Sequence, residues 1–363
     1  MDPSRQRAQR PLLVTADLDL LDDVVRLGAA AGAEIEVAPD PIAARTAWGS
    51  APAVLVGADL AEAMVRSRPP RRENVVIVST DLDDDAVWRR AVALGVDQVG
   101  FLPDSEGWLV DLLADAAEGR PRGAPVIGVL GGRGGAGASC LAAAMAVTAV
   151  RERRRTMLVD ADPLGGGIDL VLGGEGASGL RWPELAGTRG RVSGTALREA
   201  LPRVDELTVL SWDRGDALSI PAEAMSALLA AAERGSDLVV VDLPRWSDDA
   251  ARVAMERSGV VLLVVPAEVR AAAAAARVAT AAGLYCRDLR VVVRGPAPAG
   301  LPAEVVAESL GLPLAGFVKA EPGLAASLER GEPPGRRGRG PLASFCAGFL
   351  AELLPPVGRP VAA

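Results

Sequence analysis

The chain has 363 residues, of which 50% are hydrophobic, and this length allows about two domains that each bury a core. The formal net charge of -8 disfavours non-specific binding to nucleic acid, and the absence of histidine excludes every catalytic triad and metal site that needs an imidazole. Three widely separated cysteines, no secretory signal and no apolar run of 18 residues predict a soluble protein of the reducing cytoplasm.

The first half of the chain alternates strand-like and helix-like segments, which is typical of a small doubly wound parallel sheet. Residues 119–125 are rich in Gly, Pro and Arg and form a predicted linker, so we predict a first domain over residues 1–118. Its predicted strands are 11–15, 34–38, 53–57, 74–80 and 98–102, and its predicted helices lie near 19–31, 84–94 and 105–117.

This pattern resembles the receiver domain of two-component regulators, in which phosphorylation needs an acidic pair, an aspartate acceptor and a lysine at strand ends. Here Thr15 and Ala16 replace the acidic pair, and Gly57 replaces the acceptor. Asp104 falls near the lysine position, and Asp59, two residues after Gly57, is expected to point elsewhere. The resemblance implies a degenerate receiver-like (flavodoxin-like) domain for docking or dimerisation. The alternatives are a phosphorylated receiver and an unrelated α/β domain.

The second half continues the α/β pattern over residues 126–355 and is followed by a predicted tail at 356–363. Nearly continuous Val and Leu at 237–241 and 260–265 indicate strands buried on both faces, as in a parallel sheet. We therefore predict a second, larger doubly wound sheet. Its predicted strands are 126–131, 156–162, 207–212, 237–244, 260–266, 289–294 and 313–318, and its predicted helices are 221–234, 247–257, 267–282, 302–310 and 341–354.

A glycine-rich loop, GRGGAGAS at 132–139, joins the first of these strands to an alanine-rich segment. Such a loop between a strand and a helix binds phosphate through its backbone N–H groups. The loop keeps both glycines and Ser139 of the pattern G-x-x-x-x-G-K-[ST], but Ala138 stands where the pattern has lysine. The chain has a single lysine, Lys319, so no shift of this alignment supplies one nearby.

Two later stretches accompany this loop: VDADPLGGGIDLVLG at 159–173 and VVVDLP at 239–244. Together the three resemble the deviant Walker A, Walker A-prime and Walker B elements of MinD/ParA-type P-loop ATPases. A degenerate receiver before such an ATPase is similar to the CpaE/TadZ branch, and most similar to the actinobacterial CpaE-like septum site-determining proteins. The stretches GLRWPEL at 179–185 and LSWDRG at 210–215 support that subgroup.

The resemblance implies roles for individual residues. Ser139, Asp160 and Asp242 would hold Mg²⁺, mostly through water, and Asp162 would position the water that attacks the terminal phosphate. Arg133 stands in place of a lysine that, in the family, reaches across a dimer to the partner's phosphates. The implied nucleotide-binding residues are Gly132, Arg133, Gly134, Gly135, Ala136, Gly137, Ala138, Ser139 and Cys140.

The departures from the family pattern affect nucleotide binding and hydrolysis differently. Loss of one charge-assisted hydrogen bond at Ala138 should weaken binding about ten- to a hundred-fold. Hydrolysis should suffer more, because positive charge at a transferring phosphoryl group is worth about 10³ to 10⁵ in rate.

Arg294 and Gly295 replace an Asn-led turn that recognises the base, so selectivity for adenine is expected to be weak. Lys319 either touches the nucleotide or is a solvated surface residue.

The implied function is that of a septum-site or localisation factor that binds ATP or ADP with Mg²⁺ and positions a cell-division or Tad-type pilus or secretion assembly. A homodimer and recruitment to a septum or pole are implied as well. One alternative is a slow Mg-dependent ATPase that cycles on a surface. Another is a nucleotide-free structural adaptor.

Two arginine-rich stretches, 151–155 and 335–340, could offer DNA a basic patch or could be solvated surface, and the acidic net charge favours the second interpretation. The last predicted helix places Leu342, Phe349 and Leu350 on one side and has no basic residue on its polar side. A membrane-surface helix usually carries such residues, so we expect this helix to belong to the core.

Overall fold

The chain divides into two compact units, Met1–Arg122 and Gly123–Ala363. The computed structural model describes residues 10–72, 74–96, 98–117, 123–189, 192–215, 219–246 and 248–354. Most of the predicted linker and the whole predicted tail therefore lie outside the described residues. At the described end of the linker, the Ala124 N–H donates to the Glu233 carbonyl at 2.8 Å, within the second unit.

The first unit is a parallel sheet with helices between its strands. In the described residues the strands are β1 (Leu12–Val14), β2 (Glu36–Ala38), β3 (Val54–Gly57), β4 (Val75–Ser79) and β5 (Gln98–Phe101), and the helices are α1 (Leu18–Ala30), α2 (Pro41–Trp48), α3 (Ala58–Ser67), α4 (Ala86–Leu94) and α5 (Glu106–Ala117). The strand order is β2-β1-β3-β4-β5. This is the flavodoxin-like order, so the predicted doubly wound sheet is confirmed.

One prediction for the first unit is wrong: Asp59 does not point away from Gly57. The Asp59 carboxylate accepts hydrogen bonds from the Thr15 hydroxyl at 2.9 Å and from the Ala16 N–H at 2.8 Å. A Cβ atom at position 57 would collide with Oδ1 of Asp59. Because α3 begins at Ala58, its first turn directs this carboxylate back over the glycine.

The second unit contains the larger sheet. Its described strands are β6 (Val126–Gly131), β7 (Thr156–Asp160), β8 (Arg203–Val204), β9 (Leu207–Leu210), β10 (Leu238–Leu243), β11 (Val260–Pro266), β12 (Leu289–Arg294) and β13 (Leu314–Val318). They pair in the order β13-β12-β11-β6-β10-β7-β9-β8, and every pair is parallel except β8 with β9. All seven predicted strands are present. Two-residue β8 was missed because it is too short to show a pattern.

Helices cover both faces of this sheet. The described helices are α6 (Ala138–Arg151), α7 (Ile168–Leu172), α8 (Trp182–Leu185), α9 (Gly194–Ala200), α10 (Ala222–Gly235), α11 (Asp249–Arg257), α12 (Val269–Ala282), α13 (Ala303–Leu310), α14 (Leu324–Leu328) and α15 (Pro341–Leu353). Four short ones, α7, α8, α9 and α14, were not predicted. Because the strands around β6 are parallel, their carboxyl ends share one edge, where doubly wound sheets bind ligands.

The last helix belongs to the core, as predicted. Leu342, Cys346, Phe349 and Leu350 are buried in the same hydrophobic cluster as the inner face of α6. Burial also raises the pKa of the Cys346 thiol to about 12. Across the described ranges, no helix combines the length and apolar character needed to cross a membrane.

An ion pair fixes α7 beneath the carboxyl edge of the sheet. Asp169, whose side chain is 1% exposed, accepts from both terminal nitrogens of Arg214 at 2.8 and 3.2 Å. Nη2 of Arg181 lies 3.7 Å from Oδ2 of the same carboxylate. Two cations therefore compensate the desolvation of one carboxylate, which without them would strongly destabilise the fold.

Replacing Asp169 by Asn should lower the free energy of unfolding by about 3 kcal/mol, the low end for a buried pair, since Arg214 is half exposed. Urea denaturation measures this change. The matched control is Glu206→Gln, which breaks the exposed pair with Arg203 and should cost less than about 0.5 kcal/mol. Equal effects of the two substitutions would contradict the structural importance of Asp169.

Candidate functional site

The loop between β6 and α6 has a conformation that glycine makes accessible. Gly135 and Gly137 have φ angles of 68° and 95°, in the left-handed region that other residues rarely adopt. A Cβ atom at Gly132 would lie 2.7 Å from the Cβ of Ala275 on the alanine-rich helix α12. The close approach of α12 and the two left-handed residues together shape a tight loop at the positive end of α6.

A hydroxyl and a buried carboxylate meet at the base of this loop. Ser139, in the first turn of α6, places its hydroxyl beside Asp242 near the end of β10, where it opposes the rise in the pKa of that carboxyl. Burial is the main cause that raises the pKa of Asp242 well above its ordinary value of 3.8, and the charge of Asp160 adds to it. Mg²⁺ is coordinated by oxygen ligands, and a hydroxyl beside an acidic side chain can bind it together with water and phosphate oxygens.

Asp160 ends β7 directly opposite Asp242 in the strand ladder. Its two carboxylate oxygens accept from the N–H groups of Asp162 at 3.1 Å and Ile168 at 2.9 Å, and its carbonyl accepts from Trp182 Nε1 at 2.6 Å. Burial raises the pKa of Asp160 to about 7. In this structure the side chain anchors the loop that follows β7, so its use as a magnesium residue requires exchange of those bonds.

Asp162 lies in that loop, half-buried and close to the carboxyl edge. Its Oδ1 accepts from the Leu164 N–H at 3.0 Å. Burial raises the pKa of Asp162, while the Leu164 N–H and the charge of Arg245 oppose the rise. The carboxyl therefore has both a fixed orientation and a cation nearby.

Arg133 is held within its own chain. Its Nη2 lies 3.1 Å from each carboxylate oxygen of Glu268, which precedes α12. Both side chains are partly exposed. Reaching across a dimer would require this ion pair to open.

A cavity of about 260 Å³ adjoins the first turn of α6. The Cys140 thiol lies beside it; burial raises its pKa, the charge of Asp242 adds to the rise, and Arg294 opposes it. Lys319 is among the lining residues, so the structure brings it to the same side of the loop as Arg294. The polar and loop residues of the lining include Gly137, Cys140, Arg294, Gly295, Lys319 and Glu321.

The structure therefore brings the predicted loop residues together with Asp160, Asp162 and Asp242 at one edge. Sequence reasoning missed Glu268 and Arg245, which reach the loop from the ends of β11 and β10. No motif marks these residues, because their proximity to the loop depends on the parallel strand order.

Comparison with known proteins identifies the first unit and the chain as a whole. The family model described as the Rv3660c-like, CheY-like N-terminal domain matches residues 14–124. Rv3660c of Mycobacterium tuberculosis strain H37Rv is 41% identical over 320 residues, which cover 87% of this chain and 90% of that protein. This chain belongs to the Rv3660c-like family. The protein MT3760 of M. tuberculosis strain CDC 1551 matches this Rv3660c-like chain with the same identity and coverage.

Solved structures show the fold of the larger sheet in this Rv3660c-like protein. A ParA family ATPase from Chlorobium tepidum has a TM-score of 0.58 at 16% identity, with 63% of this chain and 99% of that chain covered. A chain of the MinC:MinD cell division protein complex from Aquifex aeolicus gives a TM-score of 0.53 at 23% identity, with 65% of this chain and 99% of that chain covered. MinD with Mg-ADP from Pyrococcus horikoshii gives 0.53 at 17%, covering 63% and 96%. The predicted fold class, a CheY-like unit followed by a MinD/ParA-like parallel sheet, is confirmed.

The raised pKa of Asp242 predicts a pH-dependent stability. Because the folded carboxyl binds its proton more tightly than the unfolded one, ionisation costs stability as the pH rises from near 3.8, by up to about 1.4 kcal/mol per pH unit. Asp242→Asn keeps an acceptor for Ser139 but cannot ionise. Relative to the unsubstituted protein, this variant should therefore become more stable from pH 5 to pH 8, as measured by urea denaturation.

The control for this experiment is Glu206→Gln, which changes an exposed carboxyl. Its stability difference should stay nearly constant over the same pH range. A constant difference for Asp242→Asn as well would contradict a pKa of Asp242 that burial raises.

Proposed function

We propose that this protein is a nucleotide-dependent positioning factor that binds ATP or ADP with Mg²⁺ at the loop before α6 and hydrolyses ATP slowly or not at all. The observation that carries the proposal is the position of the Ser139 hydroxyl beside the buried Asp242 at the base of that loop. A hydroxyl, a carboxylate and a helix N-terminus converge there, as binding of a magnesium–phosphate group requires.

The proposed binding residues are those of the loop, Gly132 to Cys140. The N–H groups from Gly134 to Ser139 would hold phosphate oxygens, and Ser139 and Asp242 would hold Mg²⁺, partly through water. Bound magnesium would neutralise part of the phosphate charge. Asp160 would join them only after giving up its bonds to the loop amides.

We expect weak hydrolysis because Ala138 stands where the loop pattern has a lysine. Its methyl group cannot stabilise the charge that develops on the terminal phosphate. Asp162 is the residue that we propose to orient the attacking water. The hydrogen bond from the Leu164 N–H, which fixes its carboxylate, supports this role. A slow ATPase that cycles on a surface is the alternative, favoured by the closeness of Arg245 to Asp162. An adaptor that binds no nucleotide is the remaining one.

The assembly that the protein positions is proposed from the resemblance to CpaE-like septum site-determining proteins, as either a division or a Tad-type apparatus. One solved structure of similar fold is a MinC:MinD cell division protein complex.

The first unit, proposed as a domain over residues 1–118, would supply a docking face, since Gly57 removes the phosphate acceptor. The second domain is proposed over 126–355. Recruitment to a septum or pole would be peripheral.

Binding of DNA through residues 151–155 is not part of the proposal. Arg155 pairs with Asp237 at 3.1 Å, and Arg154 lies 3.7 Å from Glu152. These acidic neighbours cancel part of the positive charge of the stretch, which supports the solvated interpretation.

Calorimetric titration with Mg-ATP and Mg-ADP tests the proposal. We expect binding to the full-length protein, and we expect Ala138→Lys to increase the affinity about ten- to a hundred-fold, because it restores a charge-assisted bond. The control Ala138→Gln adds length without charge and should gain less. No binding at millimolar nucleotide would leave the adaptor as the surviving function.

A phosphate-release assay separates the scaffold from the enzyme. Turnover by the unsubstituted protein that is lost in Asp162→Ala would establish the slow ATPase. Binding without turnover would support the nucleotide-set scaffold. Asp23→Ala, in the first unit, is the control and should leave turnover unchanged.

The Arg133–Glu268 pair makes a prediction about dimers. Glu268→Ala should free the guanidinium and increase dimerisation in the presence of Mg-ATP, as measured by analytical ultracentrifugation. Arg133→Ala should reduce it, because the partner's phosphates lose a cation. If Glu268→Ala and the unsubstituted protein dimerise alike, the ion pair does not control access to Arg133.

A further inference from the structure

The loop before α6 lacks the positive side chain that multiply charged phosphates require. Backbone N–H groups and the helix dipole supply partial charges only. Arg133, the cation nearest in sequence, is engaged by Glu268 at 3.1 Å from both oxygens. Besides the proposed Mg²⁺, a cationic side chain for a bound phosphate must therefore come from elsewhere in the fold.

Arg294, the last residue of β12, brings a guanidinium to the helix end of the loop. Its Nη1 lies 3.2 Å from the position that a Cβ atom would take at Gly137, the residue that caps α6. Its Nε is buried and has no hydrogen-bond partner, and no ion pair of Arg294 is found in the described part of the chain. A partly buried cation without a carboxylate partner is costly, and a bound anion would compensate it.

Arg245 brings a second guanidinium to the opposite end of the loop. It follows β10 by two residues, and its Nη2 lies 3.7 Å from the position of a Cβ atom at Gly134. Its charge acts on Asp162, so it lies on the side of the loop that faces the carboxylate after β7. The described residues give it no salt-bridge partner.

These two positions differ in which phosphate they can reach. Loop N–H groups at the helix end hold the inner phosphates of a nucleotide, and Gly137 belongs to that end. The proposed water-positioning residue, Asp162, belongs to the end where the terminal phosphate reacts. With a nucleotide in the loop, Arg294 would therefore lie beside the inner phosphates, and Arg245 would lie beside the terminal one.

We propose that Arg294 and Arg245 together replace the missing lysine: Arg294 binds the inner phosphates of the nucleotide, and Arg245 binds the terminal phosphate of a triphosphate. This inference rests on the proposed function, since it assumes that the loop binds a nucleotide. A guanidinium suits both positions because it stays charged and offers two parallel N–H donors to phosphate oxygens.

Calorimetric titration of the full-length protein with Mg-ATP and Mg-ADP tests the pair. Arg294→Ala should weaken binding of both nucleotides about ten- to a hundred-fold. Arg245→Ala should weaken Mg-ATP to a similar extent and Mg-ADP by less than about three-fold. The matched control is Arg287→Ala, an exposed arginine before β12 at the opposite edge of the sheet, which should leave both affinities unchanged.

A rescue experiment separates phosphate binding from a structural role. In an Ala138→Lys background the restored lysine supplies the charge, so Arg294→Ala should cost several-fold less than in the unsubstituted loop. Arg294→Lys should retain part of the affinity. Melting temperatures of the Arg294 and Arg245 variants, measured without nucleotide, should not fall below that of the unsubstituted protein, because neither guanidinium has a salt-bridge partner among the described residues.

The outcomes distinguish this inference from the function on which it rests. If the unsubstituted protein binds nucleotide and both alanine variants bind as well as it does, the inference is overturned and the proposed function stands. If Arg245→Ala weakens Mg-ADP as much as Mg-ATP, the division between inner and terminal phosphates is overturned. If the unsubstituted protein binds neither nucleotide at millimolar concentration, the proposed function itself fails.

Discussion

The burial of two neighbouring carboxylates is the constraint on which the second unit depends. Asp160 and Asp242 lie opposite each other on β7 and β10, and both are almost completely buried. Because desolvation penalises their ionised forms, the surrounding structure must supply donors. The Ser139 hydroxyl serves Asp242, and two backbone N–H groups serve Asp160, so these carboxylates connect the α6 turn, the loop after β7 and the core.

The positive charge around the candidate site is carried mainly by arginines. A chain with one lysine places its positive charge almost entirely in guanidinium groups, which cannot lose their proton in a protein. Arg214 is engaged by Asp169 and Arg133 by Glu268, both around the candidate site. Arg245 and Arg294 flank the loop outside such pairs. A phosphate bound at the loop would therefore contact cations at the ends of strands rather than a cation on α6.

The first unit keeps the strand order of a receiver domain but differs from the receiver pattern at its strand ends. The receiver-like strand order is intact, yet the position of the acceptor is a glycine whose space is taken by Asp59. Thr15 and Ala16 hold that carboxylate by hydrogen bonds. The Asp59 carboxylate is hydrogen-bonded within its own unit. This arrangement agrees with the proposed role of the first unit as a docking surface.

Local patterns in the sequence determined the fold class and the loop. Continuous runs of Val and Leu marked the buried parallel strands, and glycines between a strand and a helix marked the loop, because burial on both faces and left-handed backbone leave direct signatures. Short elements such as α7 and β8 escaped, since two to five residues carry no readable period. The direction of Asp59 also escaped, because it depends on where α3 begins.

By itself, then, the sequence determined the fold class and most of the longer elements, which residues make up the loop and that its lysine is missing. Only the tertiary structure decided which side chains surround that loop. Arg245 and Glu268 lie more than a hundred residues after the loop and follow two strands, and the order in which those strands pair brings their carboxyl ends to it. Such long-range proximity follows from sheet topology, and no pattern along the chain encodes it.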